Sequence, residues 1–444
     1  MKWWLRIRCL TVTTAVVLCA TLSPMASAQP AAPIIFWYMP NGADPAAAIQ
    51  IEVDAFRVAY PDVRVQPVLV SWTDAFLRLQ GAVQDGGGPC VAQLGTTWVP
   101  TFTAQGGLRA YAPAEVESIG GAKAFSDASW QTRGVLGSDV VGALPWFSDV
   151  RAIAYRRDVL LKTGLTQSEA FANMDAFERT LELIKQTSPD IAPIVHAGRN
   201  DGTVWQNAAM FMWAYGADIL TPDGRTAAFN SLQAVAGTTF FYDLYGEGLT
   251  APDTLKLNST DAEVRFGAGQ AATIITGPWI ISAARAAKDA GGWSDDVTRA
   301  NVAFAPFPAG PGGQYTFVGG SNLAILDNCP NPQAALEWVE FLQSRESQAR
   351  YSQTVGMLPA KIDARSDLSF ASDPLFSVFI AAADSGKTAP PIPNWTSVEP
   401  VLQEQLQALW DDVGLSGGTP IGADKVQQRL DAAARAVNAV LRGE

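Results

Sequence analysis

The strongest constraint on this chain is an alternation of short apolar runs with helix-spaced stretches, starting just after Pro33. Ile34-Ile35-Phe36-Trp37-Tyr38 has the length of a strand, and Ile49, Val53, Phe56 and Tyr60 then recur at helical spacing until Pro61 ends the pattern. Val63, Val65 and Val68 read as a second strand. Ser71 and Asp74 form a capping-box pattern ahead of Phe76, Leu79 and Val83 on one helical face. Gly86-Gly87-Gly88-Pro89 turns the chain into a third strand, Cys90 to Leu94. A strand that returns through a helix lies parallel to its predecessor. The rhythm therefore predicts an α/β fold with a largely parallel sheet covered by helices on both faces.

The pattern resumes downstream. Ala271 to Thr276 and Val302 to Phe307 read as strands, the second followed by the linker-like Pro308-Ala309-Gly310-Pro311-Gly312-Gly313. Asn331 and Pro332 have the chemistry of an N-cap and a first helical residue, leading a stripe of Ala335, Trp338, Val339 and Leu342. Thr396 and Glu399 predict a second capping box, opening a helix with Leu402, Leu406 and Leu409 inward. At 444 residues the chain exceeds what one hydrophobic core usually serves, so two domains are expected.

The first residues read as an export signal. Lys2, Arg6 and Arg8 precede an apolar-rich run from Leu10 to Leu22, too short to span a bilayer, and Ala26-Ser27-Ala28 supplies small residues for cleavage before Gln29. Leu18 before Cys19 is not the small residue that a lipidation site requires. The reading is a soluble secreted protein with no direct membrane insertion. Removal of the signal leaves Cys90 and Cys329. In an oxidising compartment their single possible pairing is favoured over two separate buried thiols. The net charge of −12 becomes more negative once the signal is lost, which disfavours nucleic acid and anionic lipid as partners.

Fourteen tryptophans stand against one histidine. A chain with His196 alone has little imidazole for acid–base or metal chemistry. His196 reads as a surface or rim residue, and scattered carboxylates without a thiolate pair leave no metal shell. Indole faces, by contrast, grip hydroxyl-studded ligands without changing them. Trp98, Trp146, Trp279 and Trp395 sit beside Pro, Gly, Thr or Asn, where binding residues concentrate. Trp338, on an apolar stripe, reads as core. Two nucleotide-like motifs fail on context. Ser385-Gly386-Lys387-Thr388 has Ala381 where a phosphate loop needs its first glycine, and reads as a polar loop. Gly267-Ala268-Gly269-Gln270-Ala271-Ala272 precedes a strand instead of following one, and reads as a turn. No catalytic residue, cofactor or metal is assigned. A secreted glycoside hydrolase using a carboxylate pair is the alternative kept open, since 43 acidic residues always allow some such pair.

Several segments, weak singly, are specific in this order and spacing. They are Phe56-x-x-x-Tyr60-Pro61-Asp62-Val63-x-Val65, Gly95-Thr96-Thr97-Trp98, Leu144-Pro145-Trp146-Phe147-Ser148-Asp149 leading to Tyr155-Arg156-x-Asp158, and Gly267-x-Gly269-Gln270-Ala271-Ala272 leading to Gly277-Pro278-Trp279. Phe304-Ala305-Pro306-x-Pro308, Val318-Gly319-Gly320-Ser321-Asn322-Leu323-Ala324-Ile325, Ala335-x-x-Trp338-x-x-Phe341-Leu342 and Gly356-x-Leu358-Pro359 follow. With them the chain resembles the family 1 extracellular solute-binding proteins of ABC importers, typified by maltose-binding protein.

The resemblance implies a two-lobed periplasmic-binding-protein fold, class II-like, with a hinge between the lobes and the ligand cleft at their interface. Lobe 1 would hold residues 29–145 and 310–355, and lobe 2 residues 146–309 and 356–444. Cys90 and Cys329 would then share lobe 1. The implied activity is carriage of a mono- or oligosaccharide to inner-membrane ABC permease subunits, by a periplasmic monomer and without chemistry. Trp98, Asp149, Arg151, Trp279 and Trp395 carry over as ligand contacts, with Asn200 and Asp201 in a loop that often reaches ligand. Trp72, Trp146, Tyr38, Asn41 and Asn322 complete the candidate set. The ending Tyr38-Met39-Pro40-Asn41-Gly42 departs from the charged or polar ending common after the first strand in this family.

Overall fold

The structure, a computed structural model, describes residues 32–198 and 201–444. The export signal expected at residues 1–28 and the contact expected of Asn200 lie outside the described residues.

Two sheets organise the chain. The larger contains β1 (Ile34–Tyr38), β2 (Val65–Leu69), β3 (Val91–Gly95), β4 (Leu144–Val150), β9 (Thr316–Ile325), β10 (Leu358–Pro359) and β11 (Gly386–Lys387). The smaller contains β5 (Ala152–Arg156), β6 (Ala192–Val195), β7 (Ala271–Thr276) and β8 (Val302–Ala305). The larger runs in the order β10-β4-β9-β3-β1-β2, with β11 alongside β9, and the smaller β6-β7-β5-β8. β4 ends at Val150 and β5 starts at Ala152, so the chain leaves one sheet for the other through Arg151 alone. It returns between β8 and β9. This is the two-lobed α/β architecture that the sequence predicts.

The sheets are mixed, which corrects the expectation of a largely parallel arrangement. β1 pairs in parallel with β2 and β3, as helical crossovers require, and β6 pairs in parallel with β7. β9, however, runs antiparallel to both β3 and β4, and β5 antiparallel to β7 and β8. β9 and β5 reach their neighbours from the other sheet, so no single crossover helix dictates their direction.

Local chemistry accounts for most element ends. Ser71 caps the Trp72–Asp85 helix by accepting from the Asp74 amide, and Asn331 caps Pro332–Leu342 from the residue before its proline. The box expected of Thr396 and Glu399 does not form. That helix starts at Trp395, Thr396 Oγ1 meets Thr101 Oγ1 at 3.2 Å, and the Glu399 carboxylate turns away to an indole. The polar loop expected at Ser385–Thr388 contains the short strand β11. Gly269 takes a left-handed turn (φ 77°) between the Ser259–Gly267 helix and β7, as its position ahead of a strand predicts.

The aromatic residues divide between separate cores. Under the larger sheet, Phe36 meets Trp146 and Trp338 edge-on, and Phe56 packs against Trp338. Beside the smaller sheet, Trp205, Trp213, Trp395 and Trp410 are buried among the Val204–Ala214, Leu232–Gly246, Trp395–Leu415 and Gly422–Arg442 helices. Cys90 and Cys329 are joined in a disulfide across 239 residues, flanking the β3–β9 pair. Closing so long a loop restricts the unfolded chain. Replacing both cysteines by serine should lower the unfolding free energy in urea by roughly 2–5 kcal/mol, with the native far-ultraviolet spectrum retained at 25 °C.

Candidate ligand-binding cleft

A cleft of about 820 Å³ lies where the two sheets face each other. Asn41, Trp72, Phe147, Gly320 and Ser321 wall it from the larger sheet's side. Thr203, Ser259, Thr260, Glu263, Trp279 and Ser282 wall it from the other. A side chamber of about 350 Å³ shares Trp72, Asp149, Arg151, Thr203 and Gly320 and adds Trp98, Gln206 and Glu399. The size suits a ligand of several hundred daltons.

The centre of the cleft is built by the strand period. Phe147, Asp149 and Arg151 alternate along β4 and the crossing, and all three line the cavity. Arg151 Nη2 donates to Asp149 Oδ2 at 3.0 Å and to Gln206 Oε1 at 3.1 Å. Its guanidinium lies 4.8 Å over the Trp279 ring. Asp149 Oδ1 and Arg151 Nε are buried with no hydrogen-bond partner. Burial pushes the Asp149 carboxyl upward, against the pull of Arg151.

Trp279 is tethered. Its Nε1 donates to Glu263 Oε1 at 2.6 Å, and Thr276 Oγ1 donates to the same oxygen at 3.2 Å. The ring folds back over Gly277 so closely that a Cβ there would lie 1.8 Å from it, which only glycine permits. Trp72 is the more open indole, at 39% exposure. Its Nε1 donates to the Pro40 carbonyl at 3.0 Å, and it meets Trp98 edge-on at 5.7 Å.

The structure thus brings Asn41, Trp72, Trp98, Asp149, Arg151 and Trp279 together and withholds Trp146, Trp395, Tyr38, Asn322 and Asp201. Trp146 points to the opposite face of β4 from Asp149 and stacks on Tyr351 at 4.2 Å, fully buried. Trp395 is equally buried, edge-on to Trp205 at 5.2 Å, because it is already the first residue of its helix. Tyr38 lies in the core beneath β1, and Asn322 spends its amide on Thr132. Asp201 lines no part of the cleft. It accepts from the Thr203 amide and hydroxyl and, at 2.6 Å, from the Ser259 amide, so it fixes two residues that do line it. His196 is a core residue and not a surface one. It packs at 4.8 Å from Phe241 and 5.1 Å from Trp410, donates Nδ1–H to the Ala197 carbonyl, and has its pKa pushed down by burial to about 4. Among the described residues no group of three metal-ligating side chains occurs.

Residues 40–349 match the bacterial extracellular solute-binding protein family. The chain belongs to this family. It is similar to a binding protein of Brucella abortus, 24% identical over 87% of this chain and 88% of the relative. It is also similar to the diacetylchitobiose binding protein DasA of Streptomyces coelicolor, 23% identical over 76% and 75%. In fold it matches the sugar-binding protein MalE of Xanthomonas citri with a TM-score of 0.77, at 22% identity over 93% of this chain and 98% of that one.

For this solute-binding protein, sequence reasoning missed Phe147, Gln206, Glu263 and Glu399. Phe147 was readable: if Asp149 faces the cleft, the period of two admits Phe147 and excludes Trp146. Glu263 and Glu399 leave no such trace, since each depends on how a helix is rolled against a distant strand. Glu399 Oε1 accepts from Trp205 Nε1 at 2.8 Å. Burial, opposed by that bond, pushes its carboxyl up to about 7. The folded state therefore favours its neutral form. Its stabilising contribution is full below the ordinary glutamate value of 4.5 and is lost as pH rises through about 7. Between pH 5 and 7.5 the unfolding free energy should fall by on the order of 2 kcal/mol from this group. Glu399→Gln should flatten that slope in denaturant titrations.

Proposed function

We propose that this solute-binding protein carries a mono- or oligosaccharide in the cleft between its lobes and delivers it unchanged to the permease of an ABC importer. The observation that carries the reading is the pair of buried, unpartnered polar atoms, Asp149 Oδ1 and Arg151 Nε, beside the indoles of Trp72 and Trp98. Buried polar atoms are nearly always satisfied, so two orphans at a cavity wall ask for a ligand that brings a donor and an acceptor. A hydroxyl is both. A sugar ring adds an apolar C–H face of the kind an indole covers at little rotamer cost. Asp149 and Arg151 would take the hydroxyls, Trp72 and Trp98 the ring faces. Trp279 would serve chiefly to hold Arg151 and Glu263.

The names of the relatives support the same class of ligand, diacetylchitobiose for one and sugar for another. The hydrolase alternative gains no support from a family of binding proteins. The proposed compartment is the periplasm, reached through the signal at residues 1–28, with the protein acting as a monomer. Among the described residues no helix is long and apolar enough to cross a membrane. The lobes are proposed as residues 29–145 with 310–355 and 146–309 with 356–444, except that the end of β4, β10 and β11, which pair in the larger sheet, go with the first. The passage between sheets at Arg151, and between β8 and β9, supports crossings near those positions.

A saccharide panel read by thermal shift tests the proposal, because a ligand confined to the folded state raises its melting temperature. At least one sugar should do so and should be recovered intact by chromatography. Trp72→Ala should then weaken its affinity by roughly 1.5–3 kcal/mol in calorimetry with the fold unchanged. Asp149→Asn should weaken it by roughly 1.5–3 kcal/mol through loss of a charged acceptor. Sugar cleavage at substoichiometric protein, or no shift with any saccharide, would overturn the reading.

A further inference from the structure

Among the described residues, the ionisable side chains lining the cleft and its side chamber are few. Asp149 comes from β4, Arg151 from the crossing, Glu263 from the Ser259–Gly267 helix and Glu399 from the Trp395–Leu415 helix. Three are acids and one is a base. The base is largely engaged. Arg151 is only 6% exposed, its Nη2 is shared between Asp149 and Gln206, and one face of its guanidinium covers Trp279. Asp149 offsets its charge at 3.0 Å.

Glu263 makes no hydrogen bond to a cation, and the Arg151 charge reaches it only at longer range. Both bonds to its Oε1 come from neutral donors, the Trp279 indole and the Thr276 hydroxyl. Glu399 likewise draws its bond from the neutral Trp205 indole. An anionic group entering this space meets carboxyls on two walls and one cation, Arg151, whose charge Asp149 already offsets and of which only Nε lacks a hydrogen-bond partner. Like charges brought together away from bulk water repel strongly.

We propose that Glu263 is a specificity-determining residue that restricts the ligand to saccharides without acidic groups, so that uronic acids and sugar phosphates are rejected. This rests on the saccharide reading above. Burial holds the Glu263 carboxyl above its ordinary range, against the hydrogen bonds from Trp279 and Thr276 and the charge of Arg151, with Asp149 a smaller push in the same direction as burial. A falling pH therefore protonates it early and eases the rejection. Of the charged groups facing it from other elements, Asp149 acts in the same direction as burial and Arg151 against it. The Asp149 carboxyl is itself raised by burial, and that of Glu399 is raised to about 7.

The test uses the full-length mature protein and sugars matched except at C6: glucose with glucuronate, galactose with galacturonate and mannose with mannuronate, as monomers and dimers. Glucosamine and galactosamine form a third arm. For any sugar whose neutral form binds, calorimetry at pH 7.5 should show the acid binding at least ~100-fold more weakly, and the amine no more weakly than the neutral form. Glu263→Gln keeps an amide oxygen for Trp279 and Thr276, and should shrink the acid-to-neutral ratio to within ~10-fold. In the unmodified protein the same ratio should narrow as pH falls from 8 to 5, which tests the idea even if the variant does not fold. Equal affinity for acid and neutral forms, or an unchanged ratio in Glu263→Gln, would overturn this inference and leave the saccharide reading intact. Binding of acidic sugars alone would also overturn it. Failure of every saccharide would instead bring down the reading beneath it.

Discussion

The ion pair of Asp149 and Arg151 is the constraint around which the cleft is organised. It occupies the point where the chain steps from one sheet to the other with a single residue between strands. Two charges taken out of water need each other and need further hydrogen bonds. Arg151 finds them in Gln206 and in the Trp279 face, which fixes the Val204–Ala214 helix and the end of β7 against the crossing. Glu263 is then fixed by Trp279, whose half-buried indole donates its N–H to that carboxylate. One pair thus ties elements from both sheets and leaves two of its own atoms unmet.

The tryptophans separate in part by the same accounting of polar atoms, the buried Trp205 and Trp213 also having bonded N–H groups. Trp72 and Trp279, at the cleft, each place their N–H on an oxygen, Pro40 for one and Glu263 for the other. Trp146, Trp338, Trp395 and Trp410 are buried with Nε1 unpartnered. Those rings are held by aromatic contact, and their apolar area outweighs the missing bond. An indole with a satisfied N–H at a cavity wall is therefore a better sign of a binding role in this molecule than proximity to proline or glycine.

Much of the fold was legible, because strand and helix periods act over five to fifteen neighbouring residues. β1, the Pro45–Ala59 helix, β2, β3, β7 and the Pro332–Leu342 helix stand where apolar spacing, Pro61 and Asn331 put them. The direction of β9 was not legible, since it depends on a partner more than two hundred residues away. The site was half legible for a related reason. Trp98, Asp149 and Trp279 end strands or open turns, and element ends face the cleft. Trp395 carries the same local signal, yet its helix begins two residues earlier than Thr396 and Glu399 suggest and buries the ring. His196 looked like a loop residue because Ala192–Val195 is a short strand whose end is roofed by two distant helices, which sequence spacing does not report.

The one-residue passage at Arg151 also bears on how the lobes can move. Rotation of one lobe against the other needs torsion at the few places where the backbone changes sheet, and atoms close to a pivot travel least. Asp149 and Arg151 would stay almost stationary through such a swing, while side chains farther from the crossing describe longer arcs. A cargo anchored at the fulcrum would be gripped in the splayed and the shut geometry alike. The rims, meeting it only at the end of their travel, would register its outline and so decide whether the shut geometry persists.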